Sequence, residues 1–166
     1  MKLDTYDEVG ANTVGCVVEN IPPFLRQRPQ WVNWRYEERD GKQTKVPYAP
    51  RTGRRASTTD LLTWATFEEA VEAYEAGTYS GIGFVFCSAD PFVGIDIDNC
   101  RNPQTGEVDP HVLDLIERYE DCYVEVSVSG EGIHLITRGK IRGGTKKGDY
   151  EIYDQDRYFC MTGVAL

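Results

Sequence analysis

Two aspartates separated by one residue, in the run Val93-Gly-Ile-Asp96-Ile-Asp98-Asn99, are the sharpest chemical feature of the chain. The run is apolar and β-branched, which predicts a strand. Side chains alternate faces along a strand, so Asp96 and Asp98 share one face, roughly 6–7 Å apart at Cβ. Ile95 and Ile97 turn the other way, into a core. Carboxylates at that spacing can hold two cations about 3.5–4 Å apart, as phosphoryl-transfer sites require. Without a cation, two like charges side by side repel. A strand end bearing two solvated acids meets the same pattern. A calcium loop is a further reading, since Asp96, Asp98 and Glu107 fall at its first, third and twelfth positions. That reading fails on Arg101, which stands where the turn needs glycine, and on Cys100, which stands where an oxygen ligand is required.

A second constellation is Ser127-Val-Ser129-Gly130-Glu-Gly132-Ile-His134-Leu. Ser129-Gly130-Glu-Gly132 reads as a tight turn whose glycines bare backbone amides and admit a phosphate. His134 follows on a strand, facing opposite to Ile133 and Leu135. A lone histidine in an apolar strand is commonly structural. Next to a phosphate-sized turn and downstream of paired aspartates, it is also placed to touch a triphosphate. A third element, Asp149-Tyr-Glu151-Ile-Tyr153-Asp154, puts Glu151 on a strand where it would complete a three-carboxylate cage. Asp154 and Asp156 are nearby alternatives. Arg157 offers a phosphate contact, and the ring of Tyr158 offers a surface for sugar or base.

These groups need a scaffold, and the hydrophobic periodicity supplies one. Trp31 to Tyr36 and Thr44 to Tyr48 read as strands joined by a turn at Arg39-Asp-Gly-Lys42. Thr66-Phe-Glu-Glu69 is a capping-box pattern opening a helix that stops near Gly77. Gly81–Phe86 and Phe92–Asp98 are predicted to pair as a hairpin about the turn Ser88-Ala-Asp-Pro91. Asp109-Pro110 starts a second helix, which ends near Tyr119. Strands are then expected over about 122–128, 132–138, 150–154 and 157–162. Helices separated by antiparallel strand runs give an α+β fold. Residues 1–20 lack periodicity and read as a loosely ordered arm, which leaves 21–166 as one domain.

Composition narrows the partners. The 166 residues carry a net charge of −9, which argues against a uniform nucleic-acid surface. The distribution is uneven. Arg35, Arg39, Lys42, Lys45, Arg51, Arg54 and Arg55 form one basic segment, and Arg138, Lys140, Arg142, Lys146 and Lys147 form another. Such segments suit a local phosphate-binding groove or are simply solvated. Five scattered cysteines without CxxC spacing indicate reduced thiols, not a zinc or disulfide framework. The polar, acidic opening lacks a signal-peptide layout, and no apolar run is membrane length, so a cytoplasmic location without a membrane partner is expected.

The order of the three constellations, with Thr162-Gly163 after Arg157-Tyr158-Phe, resembles the archaeo-eukaryotic primase superfamily, in particular the primase-polymerases of phages and plasmids. Trp31-Val-Asn-Trp34-Arg35, Lys45-Val-Pro47-Tyr48, Ala56-Ser57-Thr58 and Trp64-Ala-Thr-Phe67 resemble its N-terminal half, and the likeness covers about residues 22–164. Val128 departs from a common proline, and Cys160 from a common threonine. The resemblance implies an RRM-like antiparallel sheet bearing the acids, packed with an N-terminal αβ unit across a cleft. It implies a DNA primase-polymerase, with Asp96, Asp98 and Glu151 holding two magnesium or manganese ions. Ser129, Gly130, His134, Arg157 and Tyr158 would bind a nucleoside triphosphate. Arg35, Lys45 and Ser57, with the basic segment from Arg138 to Lys147, would face a single-stranded template or primer-template. Relatives commonly continue into helicase regions, so a replicative helicase is an expected partner. A metal-dependent nuclease and a non-catalytic replication-initiation module are the alternatives.

Overall fold

The computed structural model describes residues 14–119 and 121–166, so most of the expected N-terminal arm lies outside the described residues. In chain order the elements are α1 (Pro23–Arg26), β1 (Trp31–Arg39), β2 (Lys42–Tyr48), α2 (Phe67–Glu75), β3 (Gly81–Phe86), β4 (Phe92–Ile97), α3 (Pro110–Glu117), β5 (Tyr123–Val126), β6 (Ile133–Arg138), β7 (Thr145–Lys147), β8 (Tyr150–Tyr153) and β9 (Arg157–Met161). The strands form two sheets, ordered β2-β1-β3-β9 and β5-β6-β4-β8-β7. Each neighbouring pair is antiparallel. The fold is α+β.

Local chemistry accounts for the helices. Thr66 caps α2: its hydroxyl accepts from the Glu69 amide at 3.3 Å, and Glu69 returns a bond to the Thr66 amide at 2.9 Å. Both orphan donors are satisfied reciprocally. α3 begins at Pro110, although Asp109 makes no side-chain cap bond. Its Val112 joins Val93, Ile95, Ile97, Ile133 and Leu135 in one apolar cluster. That cluster anchors the core face of β4 and leaves the aspartates on the other.

The expected hairpin between Gly81–Phe86 and Phe92–Asp98 does not form. β3 lies between β1 and β9, and β4 between β6 and β8, so both edges of each strand are already taken. The intervening turn instead carries the chain from one sheet to the other. Asp90, 1% exposed, stabilises it by accepting from the amides of Cys87 and Phe92 and from the Gln30 amide group. A second difference is that β9, from the C-terminal end, completes the first sheet, so the expected N-terminal unit is not contiguous in sequence. β7 has three exposed residues and no apolar periodicity, which is why sequence pattern misses it.

An aromatic layer joins the sheets. Phe84, Phe86, Phe92 and Phe159 meet edge to face, and Phe86 and Phe159 press onto Gly94, where an added Cβ would lie 2.5 Å from the Phe86 ring. This close approach is why β4 carries glycine two residues before Asp96. Residues just inside the start of the described chain are docked as well. The Val14 amide donates to Val128 O at 3.0 Å, and the Val17 amide to Thr162 O at 2.7 Å. Among the described residues, no helix is long and apolar enough to cross a membrane.

Candidate active site

Antiparallel register assembles the site. Asp96 on β4 is the partner of Glu151 on β8 and of His134 on β6. Cross-strand partners share a face, so three side chains distant in sequence meet on one surface. Asp98 lies one residue past the end of β4 and is exposed, its amide held by Asp149 O at 2.8 Å.

The Oδ1 atom of Asp96 is buried and has no hydrogen-bond partner among the described residues, with His134 Nε2 at 3.7 Å. Burial raises the Asp96 carboxyl above its ordinary range. His134 and Lys45 oppose that shift, and the charges of Asp98 and Glu151 add to it. Glu151 is engaged by the ammonium of Lys146 and by the Tyr153 hydroxyl at 2.8 Å. Its carboxyl is held below the ordinary range, chiefly by the Lys146 bond. Among the described residues, no three His, Cys, Asp or Glu side chains converge on one point as a metal cage would. The donor set nevertheless suits hard cations, which prefer carboxylate oxygens.

His134 is 6% exposed and fixed on three sides. Nδ1 lies 2.9 Å from Glu125 Oε1, the ring stacks on Phe159 with centroids 4.6 Å apart and planes 20° apart, and Nε2 faces Asp96. Burial pulls its pKa down, but the Glu125 bond and the charges of Asp96 and Glu125 outweigh it, so the net shift is upward.

The Ser127–Gly132 turn is present, and several of its amides are engaged within it. The Gly130 amide donates to Ser127 O, the Glu131 amide to Ser129 Oγ, and the Gly132 amide to Ser127 Oγ. The two serine hydroxyls lie 3.1 Å apart and serve the turn internally. The Gly130 amide is thus taken up within the turn, and the Ser129 hydroxyl serves it.

The basic candidates divide by position. Lys45 projects from β2 on the face that carries Trp34, its ammonium 6.0 Å from that ring, and its charge acts on Asp96 and His134. Arg35 leaves β1 on the opposite face, stacked 4.3 Å over Tyr48. Arg157 lies 4.8 Å over the Tyr153 ring, and its charge acts on Glu151. Tyr158, the next residue on β9, points to the other face, where its ring packs on Gly83 and its hydroxyl donates to Lys45 O. Arg157 and Tyr158 thus do not line one surface together. Lys146 sits on Glu151, whereas Lys147, its neighbour on β7, leaves on the reverse face. Arg138 pairs with Phe92 four residues from His134, about 13 Å along the strand, and Lys140 bonds Ser88 O. Arg142 is exposed. Ser57 is exposed in a loop, bonding Thr59, Thr63 and Trp64. Asp154 is buried and accepts from the Ile141 amide, a structural task.

Sequence reading passes over Glu125. A signal was available: counting back from the Ser127–Gly132 turn along a hairpin puts Glu125 opposite His134, as the register has it.

No family model matches the chain. Among curated proteins, it is 36% identical over 159 residues to the DNA primase-polymerase of Nitratiruptor phage NrS-1, a match covering 90% of this chain and 21% of that protein. The chain thus spans about a fifth of the length of the relative it matches. The motif order read from the sequence agrees with this identity, and the chain is similar to one part of that phage primase-polymerase.

Proposed function

We propose that the chain is the nucleotidyl-transfer module of a DNA primase-polymerase, extending a 3′-hydroxyl with nucleoside triphosphates on a DNA template. The observation that carries this reading is the register placing Glu151 and His134 on either side of Asp96, with Asp98 at the strand end. Asp96, Asp98 and Glu151 would hold divalent ions, magnesium or manganese, which supply activation of the hydroxyl and neutralisation of the developing phosphate charge. Lys146 must leave Glu151 for that to happen. His134 presents Nε2 beside Asp96, where in its charged form, with a hydrogen on both nitrogens, it can donate to a phosphate oxygen of the incoming nucleotide. Arg157 adds positive charge beside Glu151 and orients the triphosphate, and Lys45 adds it beside Asp96, where it can meet a template phosphate. Base pairing selects the nucleotide, so protein contacts to the template fall on phosphate, sugar and stacked base faces.

The test is one assay with two substrates. The chain is incubated with manganese or magnesium and deoxynucleotides, on a primed and on an unprimed single strand. Metal-dependent lengthening of the primer is the expected result. Shortening of the strand would assign a nuclease, and retention without any chemistry would assign a binding module.

A further inference from the structure

Beneath the acids lies a buried carboxylate that this chemistry leaves unused. Glu125 is 0% exposed. An ionised carboxylate in such a place is costly unless donors surround it, and here they do. Oε2 accepts from the Tyr123 hydroxyl at 2.9 Å and from the Gly163 amide at 2.8 Å, and the Thr162 amide is 3.1 Å from both oxygens. Oε1 is 2.9 Å from His134 Nδ1.

The amide pair around Glu125 is a built feature. Gly163 has φ +66°, and an added Cβ would lie 1.9 Å from Val17 O, so glycine is required there. The Thr162 hydroxyl donates to Val126 O at 2.6 Å, and the Thr162 carbonyl accepts from Val17. The Thr162-Gly163 motif, which has no role in the chemistry above, thereby becomes a fixed anion cradle at the end of β9.

A carboxylate accepts and does not donate, so the nitrogen facing it must carry the hydrogen. Which nitrogen of a histidine is protonated is set by the bond its other nitrogen makes. Phe159 holds the ring plane, Glu125 holds Nδ1, and the remaining edge is Nε2, aimed at Asp96. We propose that Glu125 is a positioning residue that fixes the orientation of His134 by accepting its Nδ1 hydrogen, which leaves Nε2 as the edge facing the incoming phosphate. The inference deepens the proposed function and rests on its assignment of His134 to the nucleotide.

The experiment pairs a spectroscopic readout with kinetics. The chain has two histidines, His111 and His134, so His111→Gln leaves a single signal in long-range nitrogen–proton spectra of the nitrogen-15-labelled, nucleotide-free protein. Nδ1 of His134 is expected to be protonated. In Glu125→Gln the Thr162 and Gly163 amides demand the side-chain oxygen, which turns the NH2 group toward His134 and strips the proton from Nδ1. With that variant kcat/KM for the nucleotide falls on the order of 10–100-fold, the scale of losing one hydrogen bond to a charged partner. Affinity for single-stranded DNA stays unchanged. Tyr123→Phe removes one donor to Glu125 without touching His134, and should keep both the Nδ1 signal and the rate.

Three results overturn the proposal: an unprotonated Nδ1 in the parent, a Glu125→Gln rate within twofold of the parent, or an equal loss in Tyr123→Phe. The last would make Glu125 a structural clamp only. If the parent incorporates no nucleotide, the functional reading fails, and the spectra still decide whether Glu125 sets His134. If Glu125→Gln does not fold, the parent spectrum decides.

Discussion

Asp96 and Glu151 stand directly opposite each other on β4 and β8, yet Glu151 is bonded to Lys146 and Tyr153 while the buried oxygen of Asp96 has no partner among the described residues. The pair shares a surface without sharing a charge partner. Burial and like-charge repulsion both raise the Asp96 carboxyl, so the ionised side chain costs stability where it stands.

The first prediction follows from that cost. Asp96→Asn combined with Asp98→Asn should abolish nucleotide incorporation and leave the protein as stable as the parent or more so. Primer extension and a denaturant melt on the same preparation check it. A variant that loses both activity and stability would place the aspartates in the architecture, not in the chemistry.

Lys146 gives the second. Its ammonium occupies Glu151, and under the proposed function a divalent cation would have to displace it. Lys146→Met, which keeps the aliphatic stem, should bind manganese several-fold more tightly in nucleotide-free protein, read by calorimetry. Weaker binding would mean that Lys146 organises Glu151 for the metal and does not compete with it.

Much of this was legible in the sequence, for definite reasons. Period-two alternation identifies Asp96 and Asp98 as sharing a face, and the Thr66/Glu69 spacing announces the start of α2. What alternation cannot reveal is which strands become neighbours. Gly81–Phe86 and Phe92–Ile97 look like a hairpin because the segment between them is short, yet each pairs with more distant strands. Glu125 was passed over for a different reason. A single acid in an apolar strand looks anomalous until the cradle from Thr162 and Gly163, 37 and 38 residues onward, is in place. The bonds that the Glu131 and Gly132 amides make to serine hydroxyls were equally invisible, since they depend on hydroxyl rotamers and not on residue type.

The third prediction concerns single-stranded DNA. Of the basic candidates, Lys45 acts on the carboxylates, whereas Arg35 lies on the reverse face of its sheet and Arg138 and Lys140 lie at the far end of β6 and beyond. Each phosphate contact on a single strand contributes about 0.7 to the slope of log affinity against log salt. Lys45→Ala should lower the slope by about that amount, while Arg35→Ala and the pair Arg138→Ala with Lys140→Ala should leave it unchanged. A flattened slope in the Arg138/Lys140 variant would move the template path to that end of the sheet.

The last prediction tests the scaffold through pH. Glu69 closes the capping box of α2 and bonds Arg51 at 2.8 and 2.7 Å, and its carboxyl is held down from 4.5 to about 2, first by the Arg51 bond and then by the Thr66 amide. A group whose folded pKa is depressed adds stability that is fully present above its unfolded value and is lost as pH falls through its folded value. The window here runs from 4.5 down to about 2. Glu69 and Arg51 are well exposed, at 39% and 54%, so solvent and salt screen the pair and the pH effect is modest. The cap itself contributes more: Thr66→Ala should cost about 1 kcal/mol at neutral pH. Glu69→Gln should weaken the protein at pH 7, and its deficit relative to the parent should shrink steadily as pH falls toward 2, because protonation removes the same charge from the parent. Denaturant melts of both proteins across that range check the sign. A deficit that stays constant with pH would show that the amide contacts of Glu69, and not its charge, hold the start of α2.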